Sequence, residues 1–246
     1  MTTSPLELLL WRCGRICYGI TLSNYGRWTA RGWTLHQADD VSDDQVQQCR
    51  VALAETLGFA PSTLVLARQV HGTTIADISS IEDITSPITA DALVTCTPGL
   101  LLCISLADCC DVLIWGSDTP CVAAVHAGWR GTAAGIAGTC VGHLATTYQV
   151  DPSRLNAWLS PCASAQNYIV RDDVAALFPG FVRRIDSEQY LLDLQSAVIE
   201  QLVRAGMSRD RIACAQVCTI ADRRFHSYRR DGARSGRMAA FIGISE

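Results

Sequence analysis

Short apolar runs punctuate this chain at residues 63–67, 92–95, 100–106, 112–115, 121–125, 155–159, 212–217 and 239–244, and they do not alternate regularly with helices. Runs of this length, bounded by Gly, Pro and polar residues, read as β-strands. Helical periodicity is clear in fewer places. Ser42-Asp-Asp-Gln45 forms a capping box ahead of Val46, Cys49, Leu53 and Leu57, and Gly58 closes that helix. Ala133, Ile136, Ala137, Cys140, Val141, Leu144 and Tyr148 form the apolar stripe of a helix over 131–148. A strongly amphipathic helix is expected over 191–205, stopped by Gly206. Strands that outnumber helices without strict alternation predict a mixed α+β fold rather than a doubly wound one. No glycine-rich dinucleotide fingerprint follows a strand, so a Rossmann site is not expected.

A chain of 246 residues with 49% hydrophobic content supports a sizeable core. With no internal repeat or obvious linker, one domain over 1–246 is expected. All twenty basic residues are arginine. Lysine Schiff-base chemistry and a Walker A phosphate loop are therefore excluded, and any anion must be held by arginine, histidine or backbone N–H groups. A net charge of −4 gives no general reason to bind nucleic acid or a membrane. The first apolar stretch, 6–11, contains Glu7 and runs into Arg12 and Arg15, unlike a secretory leader. The twelve cysteines show no zinc-finger spacing, so most are expected as small buried hydrophobes in a reducing cytoplasm. The uncharged stretch 131–150 is too rich in Thr, Gly, His, Tyr and Gln for a membrane span.

Three segments place reactive side chains where an apolar strand stops: Gln69-Val70-His71-Gly72, Ala107-Asp108-Cys109-Cys110-Asp111 and His126-Ala127-Gly128-Trp129-Arg130-Gly131. Strand ends can bring side chains rigidly to one pocket. His71, Cys109 and His126 are a suitable ligand set for zinc, with a fourth position left open. The same residues would serve as a metal-free Cys–His nucleophile pair. Each also has a structural reading, a hydrogen-bonded turn histidine or a packed cysteine. Asp108 and Asp91 are candidates for orienting a histidine, or are turn aspartates bonding their own backbone. Arg130, ahead of the 131–148 helix, could hold phosphate or carboxylate together with the helix N-terminus, or pair with a structural carboxylate. Residues 223–237 hold Arg223, Arg224, Arg229, Arg230, Arg234 and Arg237 among Phe225, His226 and Tyr228. That run reads as a salt-bridged loop or as the wall of an anion pocket, and the acidic chain argues against a nucleic-acid patch.

Read together, Gln-Val-His-Gly (69–72), Ala-Asp-Ala-Leu-Val-Thr (90–95), Ala-Asp-Cys (107–109), His-Ala-Gly-Trp-Arg-Gly (126–131), Cys-Thr (218–219), Ser-Tyr-Arg-Arg-Asp (227–231) and Ser-Gly-Arg-Met-Ala (235–239) closely resemble the laccase-domain family. That family is also labelled polyphenol oxidase, peptidoglycan editing factor and purine nucleoside phosphorylase. The resemblance runs from about residue 63 to the C-terminus. It implies sheets packed between helical layers (α/β/β/α), similar in outline to a cytotoxic-factor cysteine hydrolase. It further implies a zinc site at His71, Cys109 and His126, with Asp108 beside them in the catalytic group. Arg130, Arg229, Arg230 and Asp91 are the expected substrate-binding residues. The implied substrates are phosphate and a purine nucleoside (adenosine, inosine, guanosine or methylthioadenosine), with adenosine deamination as a further activity. Copper is the less favoured metal, because one such site is not the array that four-electron oxygen reduction needs. A monomer or homodimer in the cytoplasm is expected, with no nucleic-acid or membrane partner.

The resemblance weakens over residues 1–60. The family's Arg-x-Gly-Gly-Val-Ser loop corresponds here to Thr21–Leu35, which lacks the paired glycines, and Thr34 stands where asparagine is usual. Asp111 replaces a proline, and the Gly-Pro-x-Ile-Gly run appears as Leu159-Ser-Pro-Cys-Ala-Ser164. Two alternatives to the phosphorylase therefore stand: a Cys–His hydrolase acting on an amide, and a metal-binding protein without turnover. If phosphate is handled, Arg130, Arg229 with Arg230, or the N-terminal Arg27 and Arg31 must contribute.

Overall fold

A computed structural model describes residues 6–84 and 87–246. In chain order the strands are β1 (Leu8–Cys13), β2 (Ile16–Thr21), β3 (Leu64–Leu66), β4 (Ile75–Asp77), β5 (Ala92–Thr95), β6 (Leu101–Leu106), β7 (Val112–Gly116), β8 (Val122–Val125), β9 (Leu155–Leu159), β10 (Ile169–Arg171), β11 (Val182–Arg184), β12 (Gln189–Leu192), β13 (Ile212–Cys214) and β14 (Met238–Ile244). The helices are α1 (Asp43–Leu57), α2 (Trp129–Ala133), α3 (Ile136–Thr147), α4 (Asp172–Ala175), α5 (Leu194–Arg204) and α6 (Tyr228–Asp231). One mixed sheet runs β1-β2-β14-β6-β3, a second runs β13-β9-β7-β8-β5-β4, and β10-β12-β11 form a small third. The expected α+β class is borne out.

Strand alternation explains the layering. On β6, Leu102, Ile104 and Leu106 pack with Ile242 of β14 and with Leu113, Trp115 and Val122 of the second sheet. The intervening Leu101 and Cys103 face the other way, against Cys49, Leu53 and Leu57 of α1. On β7, Val112 and Ile114 point outward and pack with Ile136, Cys140 and Leu144 of α3 and Val198 and Leu202 of α5. Each central strand is thus buried on both faces, which is why these strands read as unbroken apolar runs rather than alternating ones. The result is a helix–sheet–sheet–helix stack. Emptying one leucine position in such a core costs about 2–5 kcal/mol.

Several expectations needed correction. The helix over 131–148 is two helices, because Gly135 adopts φ +86° between α2 and α3. The positive backbone conformation ends α2 after barely more than one turn, so its N-terminus carries little of a long helix's dipole. Leu191 and Leu192 belong to β12, and α5 starts only after Asp193, whose carboxylate accepts from the Ser196 N–H at 2.9 Å. The β1–β2 hairpin, β4 and the three-stranded sheet were not foreseen. The capping box at Ser42 and the Gly58 stop of α1 are as expected. All twelve cysteines are free, and Cys17, Cys49, Cys103, Cys110, Cys121, Cys140 and Cys162 are buried.

Candidate active site

The ends of β3, β6 and β8 meet at one edge of the two facing sheets. β3 and β6 are parallel neighbours, so the segments that follow them, with His71 and Cys109, leave the first sheet side by side. β8 delivers His126 from the second sheet. The Cys110 N–H donates to the Ala127 carbonyl at 3.2 Å and ties the last two segments together. One ligand atom each from His71, Cys109 and His126 comes within 4.8 Å of the others, the single such group among the described residues. The histidine rings lie edge to face, 4.7 Å between centroids.

Two backbone features hold this arrangement. His71 and Asp108 both adopt positive φ, +61° and +82°, a conformation that costs a side-chain-bearing residue energy unless its surroundings enforce it. For His71 the enforcement comes from Asp91. Its carboxylate accepts from the N–H groups of Val70 (3.3 Å), His71 (2.8 Å) and Gly72 (2.8 Å) and lies 3.0 Å from His126 Nδ1. One buried carboxylate therefore shapes the loop of the first histidine and orients the ring of the second, leaving His126 Nε2 toward Cys109. For Asp108, Oδ1 accepts from the Thr219 hydroxyl at 2.6 Å and Oδ2 from the Arg229 N–H at 2.7 Å.

The two histidines shift in opposite directions. Burial lowers His71 from the usual histidine range, assisted by the charges of His126, Arg130 and Arg237 and opposed by Asp91. Burial acts the same way on His126, yet its pKa is raised well above the usual value, because the Cys109 sulfur and Asp91 carboxylate favour the imidazolium. A cation is thus already stabilised where a metal ion would be held. The space is kept by Gly128. A Cβ there would stand 3.1 Å from Cys109 Sγ, 3.3 Å from His71 Cδ2 and 3.5 Å from His126 Nε2. Two nitrogens and a cysteine sulfur around a gap that one methyl group would fill suit zinc with an open fourth position. Behind them, Asp111 is wholly buried, neither carboxylate oxygen has a hydrogen-bond partner among the described residues, and burial pushes its pKa up to about 7.

A cleft of about 870 Å³ opens over this group. Asp108, Arg130 and Arg229 line it. Arg130 stacks on Trp129 at 4.2 Å, and Arg229 lies over Tyr168 at 5.0 Å. Other expected contacts are elsewhere. Asp91 is 0% exposed with its oxygens occupied, so it orients the histidines and does not line the cleft. Arg230 turns away to Asp231 and the carbonyls of Thr219 and Phe225. Arg27 pairs with Glu7 and Arg31 with Asp40, and neither lines the cleft. Sequence reasoning missed Arg68, Tyr168 and His36 as lining residues, and gave Arg237 no role beyond the arginine run. Arg68 stood in the Gln-Val-His-Gly approach and could have been found there, whereas nothing around Tyr168 signalled a site. A separate cavity of about 610 Å³ between residues 26–28 and α1 has neither histidine nor cysteine in its lining.

Residues 23–245 match the family described as multi-copper polyphenol oxidoreductase laccase. The chain belongs to this family. Among relatives, a protein of Xylella fastidiosa (strain 9a5c) named purine nucleoside phosphorylase is 40% identical over 214 residues, 81% of this chain and 78% of its own length. The YlmD protein of Geobacillus stearothermophilus, also named purine nucleoside phosphorylase, is 35% identical over 86% of this chain and 82% of its own. Its crystal structure superposes with a TM-score of 0.88, covering 98% of this chain and 100% of that one at 29% identity. A hypothetical protein YfiH of Bacillus licheniformis gives a TM-score of 0.91 at 27% identity, covering 98% and 97%. The family fold therefore extends through the N-terminal part where the motifs are weakest. No helix among the described residues is long and apolar enough to cross a membrane.

Proposed function

We propose that this cleft is the active site of a purine nucleoside phosphorylase working with one zinc ion held by His71, Cys109 and His126. The observation that carries the reading is the convergence of those ligand atoms within 4.8 Å in a cleft also lined by arginines and aromatic rings. The names borne by the Xylella and Geobacillus relatives point the same way. Phosphorolysis joins a phosphate oxygen to C1′ of the ribose as the bond from C1′ to the purine breaks. Arg130 and Arg237 act on His71 electrostatically, and Arg237 also lies near Cys109, so these two arginines would hold the phosphate beside the ligand group. Trp129, Tyr168 and Tyr228 offer stacking surfaces for the purine. Asp108 holds the Cys109 loop through Thr219 and the Arg229 N–H, and so acts through position. When bound, zinc would supply Lewis acidity and charge stabilisation at the open position. Adenosine, inosine, guanosine and methylthioadenosine are the candidate substrates, with adenosine deamination as a side activity. One ligand group among the described residues favours a single-metal centre over a copper array.

The test is to purify the protein without chelator, measure bound metal, and assay base release from inosine with and without phosphate. Near-stoichiometric zinc and phosphate-dependent release are expected. Both should fall in Cys109→Ala, activity by at least about a thousandfold, since one essential active-site group commonly carries several kcal/mol of transition-state stabilisation. Full activity with substoichiometric metal would refute the zinc assignment. A second reading, a Cys109–His126 hydrolase, is favoured by the closeness of the Cys109 sulfur to the His126 ring, whose pKa it raises. It requires amide hydrolysis that survives chelation and is abolished by iodoacetamide. Stoichiometric zinc with no turnover would leave a metal-binding protein.

A further inference from the structure

Strand register sets two of the free cysteines opposite one another, away from the cleft. β5 and β8 run antiparallel, with Ala92 opposite Val125 and Thr95 opposite Val122. One residue beyond both strands, the same register sets Cys96 opposite Cys121. At the other end of the ladder the His126 N–H donates to the Asp91 carbonyl at 2.7 Å, so Asp91 and His126 are a hydrogen-bonded pair. Bonded and non-bonded pairs alternate along an antiparallel ladder, which makes Cys96 and Cys121 a non-bonded pair. The backbone of Cys121 agrees: its N–H donates to the Thr119 carbonyl at 2.7 Å and its carbonyl accepts from the Gly116 N–H at 3.1 Å, both on the β7 side. Non-bonded pairs hold their Cα atoms about 4.5 Å apart with side chains close, inside the roughly 4.4–6.8 Å that a disulfide spans.

Both side chains leave the same face of the sheet. Val94 and Ala123, each two residues away along its strand, pack with Cys140 and Val141 of α3, and Cys121 belongs to the same cluster with Cys96 at its margin. Cys121 is buried, whereas Cys96 is partly exposed and open to a small oxidant. Burial raises the pKa of both thiols, Asp77 adds to the rise, and each sulfur acts on the ionisation of the other. Neither residue is next to a proposed metal ligand: the pair lies at the opposite end of β5 and β8 from Asp91 and His126.

We propose that Cys96 and Cys121 are a dithiol modification site that a peroxide converts into a cross-strand disulfide, stapling β5 to β8. In the first step the accessible Cys96 sulfur attacks one oxygen of hydrogen peroxide. The O–O bond breaks, a water leaves with the thiol proton, and Cys96 becomes a sulfenic acid. In the second step the Cys121 sulfur attacks Cys96 Sγ, the S–O bond breaks, and a second water leaves with the Cys121 proton. Two thiols lose two electrons and one peroxide becomes two waters. The bond closes a loop over residues 96–121 that contains β6, β7 and Cys109. Thiols raised by burial react slowly at neutral pH, so the conversion needs excess peroxide.

The experiment treats the full chain, with zinc added to shield Cys109, with hydrogen peroxide raised until exposed Cys13 is oxidised, then alkylates the remaining thiols in denaturant. Trypsin would leave both cysteines on one peptide, because no arginine lies between residues 69 and 129, so chymotrypsin is used before mass spectrometry. The peptides carrying Cys96 and Cys121 should be found joined, two hydrogens lighter than the two thiols, and separated again by dithiothreitol. The thermal midpoint of the oxidised protein should lie several degrees above that of the reduced one, since the crosslink restricts the unfolded chain. Cys96→Ala, at a partly exposed position, should lose this peroxide-dependent rise. Recovery of Cys96 and Cys121 as alkylated thiols or as separate oxyacids would overturn the proposal, as would a bond from either one to Cys140 or another cysteine. A Cys96–Cys121 disulfide that leaves the midpoint unchanged or lowers it would overturn the staple.

Discussion

His126, at the end of β8, is 2% exposed, and His226, in the loop before α6, is 0% exposed, so burial alone would leave both imidazoles neutral. Their partners differ. His126 faces the Asp91 carboxylate and the Cys109 sulfur, and its pKa is raised. His226 donates from Nε2 to the Trp33 carbonyl at 2.8 Å, and its Nδ1 lies 3.2 Å from the Tyr25 hydroxyl. Burial lowers it to about 4, with Arg237 and Arg230 adding to that fall and Asp231 and the Trp33 hydrogen bond opposing it. Each ring also packs against a glycine, Gly128 in the first case and Gly236 in the second. The two sites share burial and a glycine neighbour, so Cys109 and Asp91 account for the raised pKa of His126. Of the two, only His126 is equipped to take part in binding a cation.

The largest effect that tests this contrast is acid sensitivity from His226. Its folded pKa of about 4 lies below the unfolded value of about 6.5, so between these values the unfolded chain binds the extra proton. The contribution is fully present above about pH 6.5 and is lost as pH falls to about 4, amounting to about 3 kcal/mol. Denaturant unfolding of the wild type and His226→Gln at pH 7 and pH 4 measures it. The stability loss should be smaller in the variant by that amount. An unchanged loss would mean that His226 is not held neutral.

Next in size is Gly236→Ala. A Cβ there would meet Cε1 and Nε2 of His226 at 2.6 Å, and the ring cannot retreat without losing its bond to Trp33. Overpacking of this kind costs about 1–3 kcal/mol. Chemical denaturation should read it, with zinc binding unchanged. A neutral result would show that the loop around His226 yields, and that packing does not fix this ring.

Asp91→Asn addresses the other histidine. Asparagine keeps one acceptor oxygen but removes the charge that favours a cationic His126 and leaves fewer acceptors for the Val70, His71 and Gly72 N–H groups. Loss of such an outer partner commonly weakens metal affinity about 10–100-fold. Zinc competition against a chromophoric chelator measures this. Unchanged affinity would reduce Asp91 to a loop anchor.

How much of this contrast was legible beforehand follows from its chemistry. The apolar runs that became β5, β6, β7, β8 and β9 were plain, because strands buried on both faces cannot interrupt their hydrophobic pattern. His71, Cys109 and His126 were legible because each directly follows such a run or its polar extension. The hairpin β1–β2 was not, since β1 carries Arg12 and is exposed over much of its length. Arg230 was placed in the cleft because a sequence pattern cannot reveal that Asp231 beside it captures its guanidinium. The opposite shifts of His126 and His226 were equally hidden, because Cys109 and Asp91, which raise the first, and the packing that buries the second come from segments distant in sequence.

Gly128→Ala is the smallest expected perturbation of the fold and the most selective one. Gly128 has φ −68°, a conformation any residue adopts, so alanine brings no backbone strain. The new methyl would stand 3.1 Å from Cys109 Sγ and 3.3 Å from His71 Cδ2, close enough to require shifts of a few tenths of an ångström. Exposed His71 can move outward, unlike the ring of His226. Unfolding free energy should therefore change by less than about 1 kcal/mol. Metal affinity should still fall several-fold, because ligand geometry tolerates displacements of only about this size. Zinc titration set beside denaturant unfolding gives both quantities. A variant that binds zinc as tightly as the wild type would show that Gly128 is not what keeps the ligand space open.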